Sequence, residues 1–237
     1  MSGLVVTWEA LYSSELQGLW GLAVPPALFL AWLAVGPRPA GGGAEPRAAR
    51  FVRAWTVAFT FESIADAALP ALAGLPMLLF VLLGDFRVFL LMEVVAAPTR
   101  GRAASAVVAA AWTAIVPLVA WSAWTLLGMV RGPQPETVLW LVYEAAFLTL
   151  ALWLRDVGIP RRRPAAQAWL RAIFAYVALY YGLWALSDVL VLAGVDAGWG
   201  LRIVPNQLYY SLWTPFAWAS FFAARYAATS TDVHASR

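Results

Sequence analysis

Residues 75–97 read LPMLLFVLLGDFRVFLLMEVVAA. A helix needs about 20 apolar residues to cross a bilayer, so this stretch is long enough for a transmembrane span. It nevertheless contains Asp85, Arg87 and Glu93, and a charge at the bilayer centre costs about 3 kcal/mol. Asp85 and Arg87 are two residues apart and point to different sides of one helix. Each needs partners on other helices, and we expect the functional site where those partners meet.

The composition indicates an all-α integral membrane protein that forms a single domain over residues 1–237. Of the 237 residues, 62% are hydrophobic and 12% are charged, whereas soluble domains carry about 25% charged residues. The chain has no lysine, which excludes a retinal Schiff base of the microbial rhodopsin type. It has no cysteine, and its single histidine, His234, lies in the polar tail. We therefore expect neither a metal site nor a cofactor.

The apolar segments predict seven transmembrane helices. Their approximate bounds are 18–35, 53–73, 75–97, 106–130, 137–154, 169–195 and 207–224. A linker rich in glycine and proline covers 36–50, Gly74 and Pro76 predict a tight turn, and 198–205 is predicted as a short outer loop. Five tryptophans fall near span ends, where tryptophan favours the membrane interface: Trp20, Trp55, Trp140, Trp153 and Trp169.

The arginines predict the orientation of these spans. Loops on one side hold 13 arginines: 38, 47, 50, 53, 100, 102, 155, 161, 162, 163, 171, 225 and 237. The opposite side holds only Arg131 and Arg202. Because arginine-rich short loops stay in the cytoplasm, we expect the N-terminus outside and a multi-pass protein of the cell membrane.

The order of residues suggests an internal duplication of 15–97 and 136–226, joined by a linker helix at 106–130. Glu15 and Trp32 enclose the first span at the same spacing as Glu136 and Trp153 enclose the fifth. Both intervals lead into a loop that contains proline and arginine. In a chain rich in alanine and leucine such matches also arise by chance.

This layout resembles that of the SWEET sugar transporters and the related bacterial vitamin transporters, which also place three helices, a linker helix and three helices. The resemblance is one of topology and implies no binding residue here. Those proteins carry prolines in the first helix of each repeat. Pro25 and Pro26 match that pattern in the first span, whereas the fifth span has no proline.

Ionisable residues of several spans lie at similar depths. Glu62 and Asp66 are four apart and share one helix face, level with Asp85 and Arg87 of the next span. Arg87 is the only core cation, so these three acids are its candidate counter-ions. We expect one cavity that opens to the outside and excludes Glu93. Its predicted solute-binding residues are Glu62, Asp66, Asp85, Arg87, Glu144, Asp188, Asn206, Tyr209, Tyr210 and Trp213.

Intramembrane charges favour a small transporter with a midplane site for a polar or cationic solute or a coupling proton. A seven-helix receptor or sensor with an outer ligand pocket is the alternative. Paired carboxylates also leave open a metal-free acid–base enzyme that acts on a lipid or isoprenoid, although we expect no enzyme. The purely structural alternative is a buried ion pair that only joins two helices. Expected partners are the lipid bilayer and a small-molecule solute, with a homo-oligomer left open and no nucleic acid.

Overall fold

The computed structural model describes residues 7–35, 47–68, 77–96, 100–159 and 166–223. Within those ranges the ordered elements are all helical, and no strand is found. Four described helices are long and apolar enough to cross a membrane: Leu16–Val35, Arg102–Arg131, Glu136–Gly158 and Gln167–Leu192. The prediction that the protein is all-helical is therefore confirmed for the described residues, and four of its helices fit a membrane span by length and composition.

The elements follow in simple order along the chain. They are α1 (Trp8–Tyr12), a π turn (Leu16–Trp20) that leads into α2 (Gly21–Val35), α3 (Arg47–Ala68), α4 (Met77–Ala96) and α5 (Arg102–Arg131). Then come α6 (Glu136–Trp153) with a terminal π turn (Leu154–Gly158), α7 (Gln167–Leu192) and α8 (Ala197–Asn206). A third π turn (Gln207–Ser211) follows α8 and leads, after a bend at Leu212, into α9 (213–223).

From α2 to α8, each helix packs mainly on its neighbour in sequence, whereas α1 packs on α8. Short connections make such neighbours antiparallel. The third π turn packs back on α2, α3 and α8, which brings the segment after α8 against the first two long helices. Aromatic rings fill the centre of the bundle: Phe89 of α4 lies 5.7 Å from Phe147 of α6 and 6.5 Å from Phe174 of α7.

The prediction of a loop at 198–205 is wrong, because this segment belongs to helix α8. Its glycines allow close packing. A Cβ on Gly198 would lie 2.8 Å from the backbone nitrogen of Val191, and one on Gly200 would lie 2.7 Å from the Trp8 ring. Trp8 belongs to α1, a short helix that the sequence did not predict.

The interfacial role predicted for five tryptophans is wrong for two of them. Trp55 and Trp169 are 3% and 6% exposed, respectively, and therefore pack inside the bundle, whereas Trp20 and Trp153 are 59% and 41% exposed. The indole N–H groups of the two buried tryptophans donate to the Arg87 carbonyl at 3.1 Å and to Ser220 Oγ at 3.1 Å. The predicted turn at Gly74 and Pro76, most of the 36–50 linker, the arginines at 161–163 and the tail beyond 223 lie outside the described residues.

Candidate functional site

Arg87 is fully enclosed between α3 and the third π turn. Its Nη1 donates to Glu62 Oε2 at 3.1 Å and to Ser63 Oγ at 2.9 Å, and its Nη2 donates to the Tyr209 carbonyl at 2.7 Å. The guanidinium lies 4.5 Å from the centre of the Tyr209 ring and 5.9 Å from that of Trp213. Charged, polar and aromatic partners together compensate for the removal of this cation from water.

The Tyr209 carbonyl lies where the last helix is interrupted. Leu212 N donates to the Gln207 carbonyl at 3.0 Å, five residues back, instead of the usual four. Pro215 follows and has no N–H to continue the ladder. Breaks of this kind free backbone carbonyls and are frequent at functional sites, and here one such carbonyl accepts the hydrogen bond from Arg87.

Asp85 is buried on the other side of α4. It accepts short hydrogen bonds from the hydroxyls of Tyr143 on α6 and Tyr181 on α7, and no part of its side chain reaches solvent. The two residues of the GDFR stretch therefore contact different helices, as their spacing predicts. Together they join α4 to α3, α6, α7 and the third π turn.

A second cation, Arg202 of α8, holds the outer acids. Its Nη2 lies 2.5 Å from Asp188 Oδ1 and 3.8 Å from Glu144 Oε1. The guanidinium also lies 5.9 Å from the ring centre of Tyr12 and 5.7 Å from that of Trp199. Its side chain is 16% exposed, whereas that of Arg87 is fully buried.

A cavity of about 130 Å³ lies beside this second cluster. Its lining is mostly aromatic and consists of Tyr12, Val81, Trp140, Tyr143, Glu144, Tyr181, Trp184, Arg202, Asn206, Tyr209 and Tyr210. Several buried polar atoms in or beside this cavity have no hydrogen-bond partner among the described residues: Glu144 Oε2, Arg202 Nε, both Asp188 carboxylate oxygens and the Tyr209 hydroxyl. Others lie elsewhere in the bundle, Arg87 Nε and Trp213 Nε1 among them, so an unpaired atom does not by itself mark a ligand site here.

The structure arranges the predicted site residues in two clusters rather than around one cation. Glu62, Tyr209 and Trp213 surround Arg87, and Asp66 follows Glu62 by one turn of α3 at 8% exposure. Glu144 and Asp188 face Arg202 instead, and they lie with Asn206 and Tyr210 in or beside the cavity. Asp85 stands behind Tyr143 and Tyr181, which form part of the wall of the cavity. Glu93 is separate and pairs with Arg100 at 2.5 Å.

Sequence reasoning missed Arg202 and the two tyrosines that hold Asp85. Arg202 is one of only two arginines on the predicted outer side, and that exception to the charge rule was the available signal. Tyr143 immediately precedes Glu144, and the pair Tyr180-Tyr181 lies within the sixth span. A tyrosine in a membrane helix is common enough that its position alone does not mark it.

The site combines an excess of acid with a mainly aromatic cavity. The two clusters and the side chains next to them contain two arginines and five carboxyl groups, those of Glu62, Asp66, Asp85, Glu144 and Asp188. An excess of acid favours a cation or a proton, and aromatic walls also suit cations. Comparisons of the chain with protein-family models, with curated proteins and with solved structures find no match.

Proposed function

We propose that the chain is a small membrane transporter that binds a cationic solute, or a coupling proton, in the cavity beside Arg202. The supporting observation is that two acids, Glu144 in the wall of that cavity and Asp188 beside it, lie against the single guanidinium of Arg202. A protonated amine in the cavity supplies further N–H donors to these acids.

The charges around the cavity favour a cation over an anion. Arg202 already has an acid at 2.5 Å and another at 3.8 Å, which leaves this cluster one acid in excess. Arg87, the other cation, points away from the cavity into its own contacts with Glu62 and the Tyr209 carbonyl. An anionic solute would therefore meet more carboxylate than guanidinium.

The interrupted last helix supports transport rather than static binding. Tyr209 belongs to the third π turn and contributes to the wall of the cavity, and the bend at Leu212 follows directly. Many secondary transporters place discontinuous helices beside the substrate, where small rotations change access. Gly84 of α4 lets the Tyr209 ring approach so closely that a Cβ there would overlap its hydroxyl.

Our proposal for the membrane arrangement has seven spans, with the N-terminus outside and two three-helix units joined by α5. Three further segments, α3, α4 and 207–223, complete the seven. In each unit the first helix packs on the second, as α2 packs on α3 and α6 on α7. Reporters active only in the cytoplasm, fused after Arg102, after Arg163 and at the C-terminus, should all give signal. Silence at any one of these positions contradicts the orientation.

The transport proposal can be tested in liposomes that contain the purified chain. Radiolabelled ethanolamine, a small solute with a protonated amine, should accumulate faster than in empty liposomes, and a proton gradient should change the rate. Glu144→Gln removes the negative charge of the acceptor, so uptake should fall to that of empty liposomes. Ser14→Ala is a control outside the cavity that should retain uptake, because Ser14 Oγ only bonds locally to the Leu11 carbonyl at 2.6 Å.

The same experiment distinguishes a receptor from a transporter. Amine binding that depends on Glu144, without any flux in the presence or absence of the proton gradient, would indicate the receptor alternative. If no small amine either binds or crosses the membrane, the cation site itself is contradicted.

A further inference from the structure

An apolar groove lies directly behind the cavity. It is formed by α4, α5 and α6, encloses about 720 Å³ and is lined mainly by apolar side chains such as Leu82, Phe86, Ala114 and Leu118. Trp140 and Tyr143 line both spaces, so these two side chains form the wall between the groove and the cavity. The groove is therefore an apolar space adjacent to the cavity.

A second groove, which lies between α5 and α6, provides a comparison. It has a similar size, about 620 Å³, and is also apolar, with Ile115, Val142, Ala145 and Leu150 among its lining residues. It shares no lining residue with the cavity. Only the first of these two grooves shares a wall with the cavity that lies beside the carboxylates around Arg202.

The wall between the groove and the cavity has one fixed and one adjustable part. Tyr143 is 4% exposed and donates its hydroxyl to Asp85, so it stays in place. Trp140 is held at its indole N–H by Glu136 Oε1 at 3.1 Å, in an exposed hydrogen bond one turn away on α6. Exposed hydrogen bonds of this kind stabilise a side chain only weakly, so Trp140 is the part of this wall that can rotate.

We infer that the natural ligand is a cationic amphiphile, with a protonated amine in the cavity and an alkyl or isoprenoid chain in the first groove. This inference rests on the proposed cation site and adds the chain. The shared wall is its main support, because a ligand that spans it reaches both the acids beside Arg202 and the apolar surface of the groove. A small hydrophilic amine has no use for the groove.

Binding of radiolabelled methylammonium, hexylammonium and decylammonium to the chain in nanodiscs tests this inference. Empty nanodiscs measure partitioning into lipid, and decanol tests the chain without the charge. Each methylene that leaves water should strengthen binding by up to about fourfold. Decylammonium should therefore bind far more tightly than methylammonium, and decanol should bind weakly.

Two matched variants separate groove binding from general attraction to the bilayer. Ala114→Trp fills the first groove and Ala145→Trp fills the second, and both alanines are exposed in the described structure. Ala114→Trp should weaken decylammonium binding by about tenfold or more, whereas Ala145→Trp should change it by less than about twofold.

The outcomes distinguish this inference from the proposed function. Methylammonium binding without any gain from chain length, or equal effects of the two tryptophan variants, overturns the amphiphile and leaves the cation site intact. Tight binding of decanol reduces the groove to an apolar lipid contact and also overturns the inference. Failure of all three amines to bind overturns both proposals.

Discussion

Arg87 and Arg202 are both arginines that face acids inside one helical bundle, yet their surroundings differ. Arg87 is fully buried and has a carboxylate, a hydroxyl and a carbonyl within 3.1 Å. Arg202 is 16% exposed, has one close acid and one at 3.8 Å, and borders a cavity. The first environment encloses the side chain on all sides, whereas the second leaves it beside an open space. Full enclosure of a charge therefore points to architecture here, and contact with a cavity points to the binding site.

The largest expected effect is that of Arg87→Leu. The change leaves Glu62 and the Tyr209 carbonyl buried without a donor, so we expect a loss of about 3–5 kcal/mol in the free energy of unfolding. Unfolding in mixed micelles, followed by circular dichroism, measures it. Adding Glu62→Gln should restore part of the loss, because the stranded charge is gone. Strictly additive effects of the two changes would contradict the pairing.

Arg202→Leu should cost less, about 1–3 kcal/mol by the same measurement, because Arg202 keeps access to water and makes looser contacts. Its effect on amine binding should be larger than that of Arg87→Leu in the fraction that remains folded. If Arg202→Leu destabilises the protein as much as Arg87→Leu, the contrast between the two environments fails.

Gly84→Ala tests the contact that joins the two regions. The added Cβ overlaps the Tyr209 hydroxyl, so we expect a loss of about 1–2 kcal/mol after the gain in helix propensity is subtracted. Removing that hydroxyl with Tyr209→Phe should reduce the penalty of the alanine. An equal penalty in both backgrounds would show that α4 yields in some other way.

The smallest effect is expected for Asp196→Ala. Asp196 accepts from Trp8 N at 2.9 Å and from Glu9 N at 3.3 Å and so holds α1 over α8. These bonds are exposed, and we expect a change below about 1 kcal/mol in global stability. Amide hydrogen exchange in α1 should nevertheless accelerate while exchange in α7 stays slow. Unchanged exchange in α1 would mean that other contacts hold it.

The sequence predicts much of the Arg87 cluster because its logic is local. Glu62 and Asp66 lie four apart on the preceding span and at the depth of Arg87, so helix geometry alone makes them candidate partners, and Glu62 is the one in contact. The site around Arg202 depends instead on tertiary packing. Gly198, Gly200 and Pro205 look like loop residues, but the glycines serve close contacts with α7 and with Trp8. Propensity cannot distinguish these two uses of glycine.

The contacts of Arg87 also carry information about the order of assembly. Glu62 precedes Arg87 by 25 residues, so the acid is already synthesised when the arginine leaves the ribosome. The Tyr209 carbonyl follows 122 residues later. In the proposed seven-span arrangement, the α3–α4 hairpin can therefore enter the membrane with its ion pair formed, while Arg87 Nη2 gains its acceptor only after Tyr209 is synthesised. Truncation before Tyr209 should leave a chain that inserts but is recognised by quality-control proteases, because Arg87 Nη2 still lacks its acceptor.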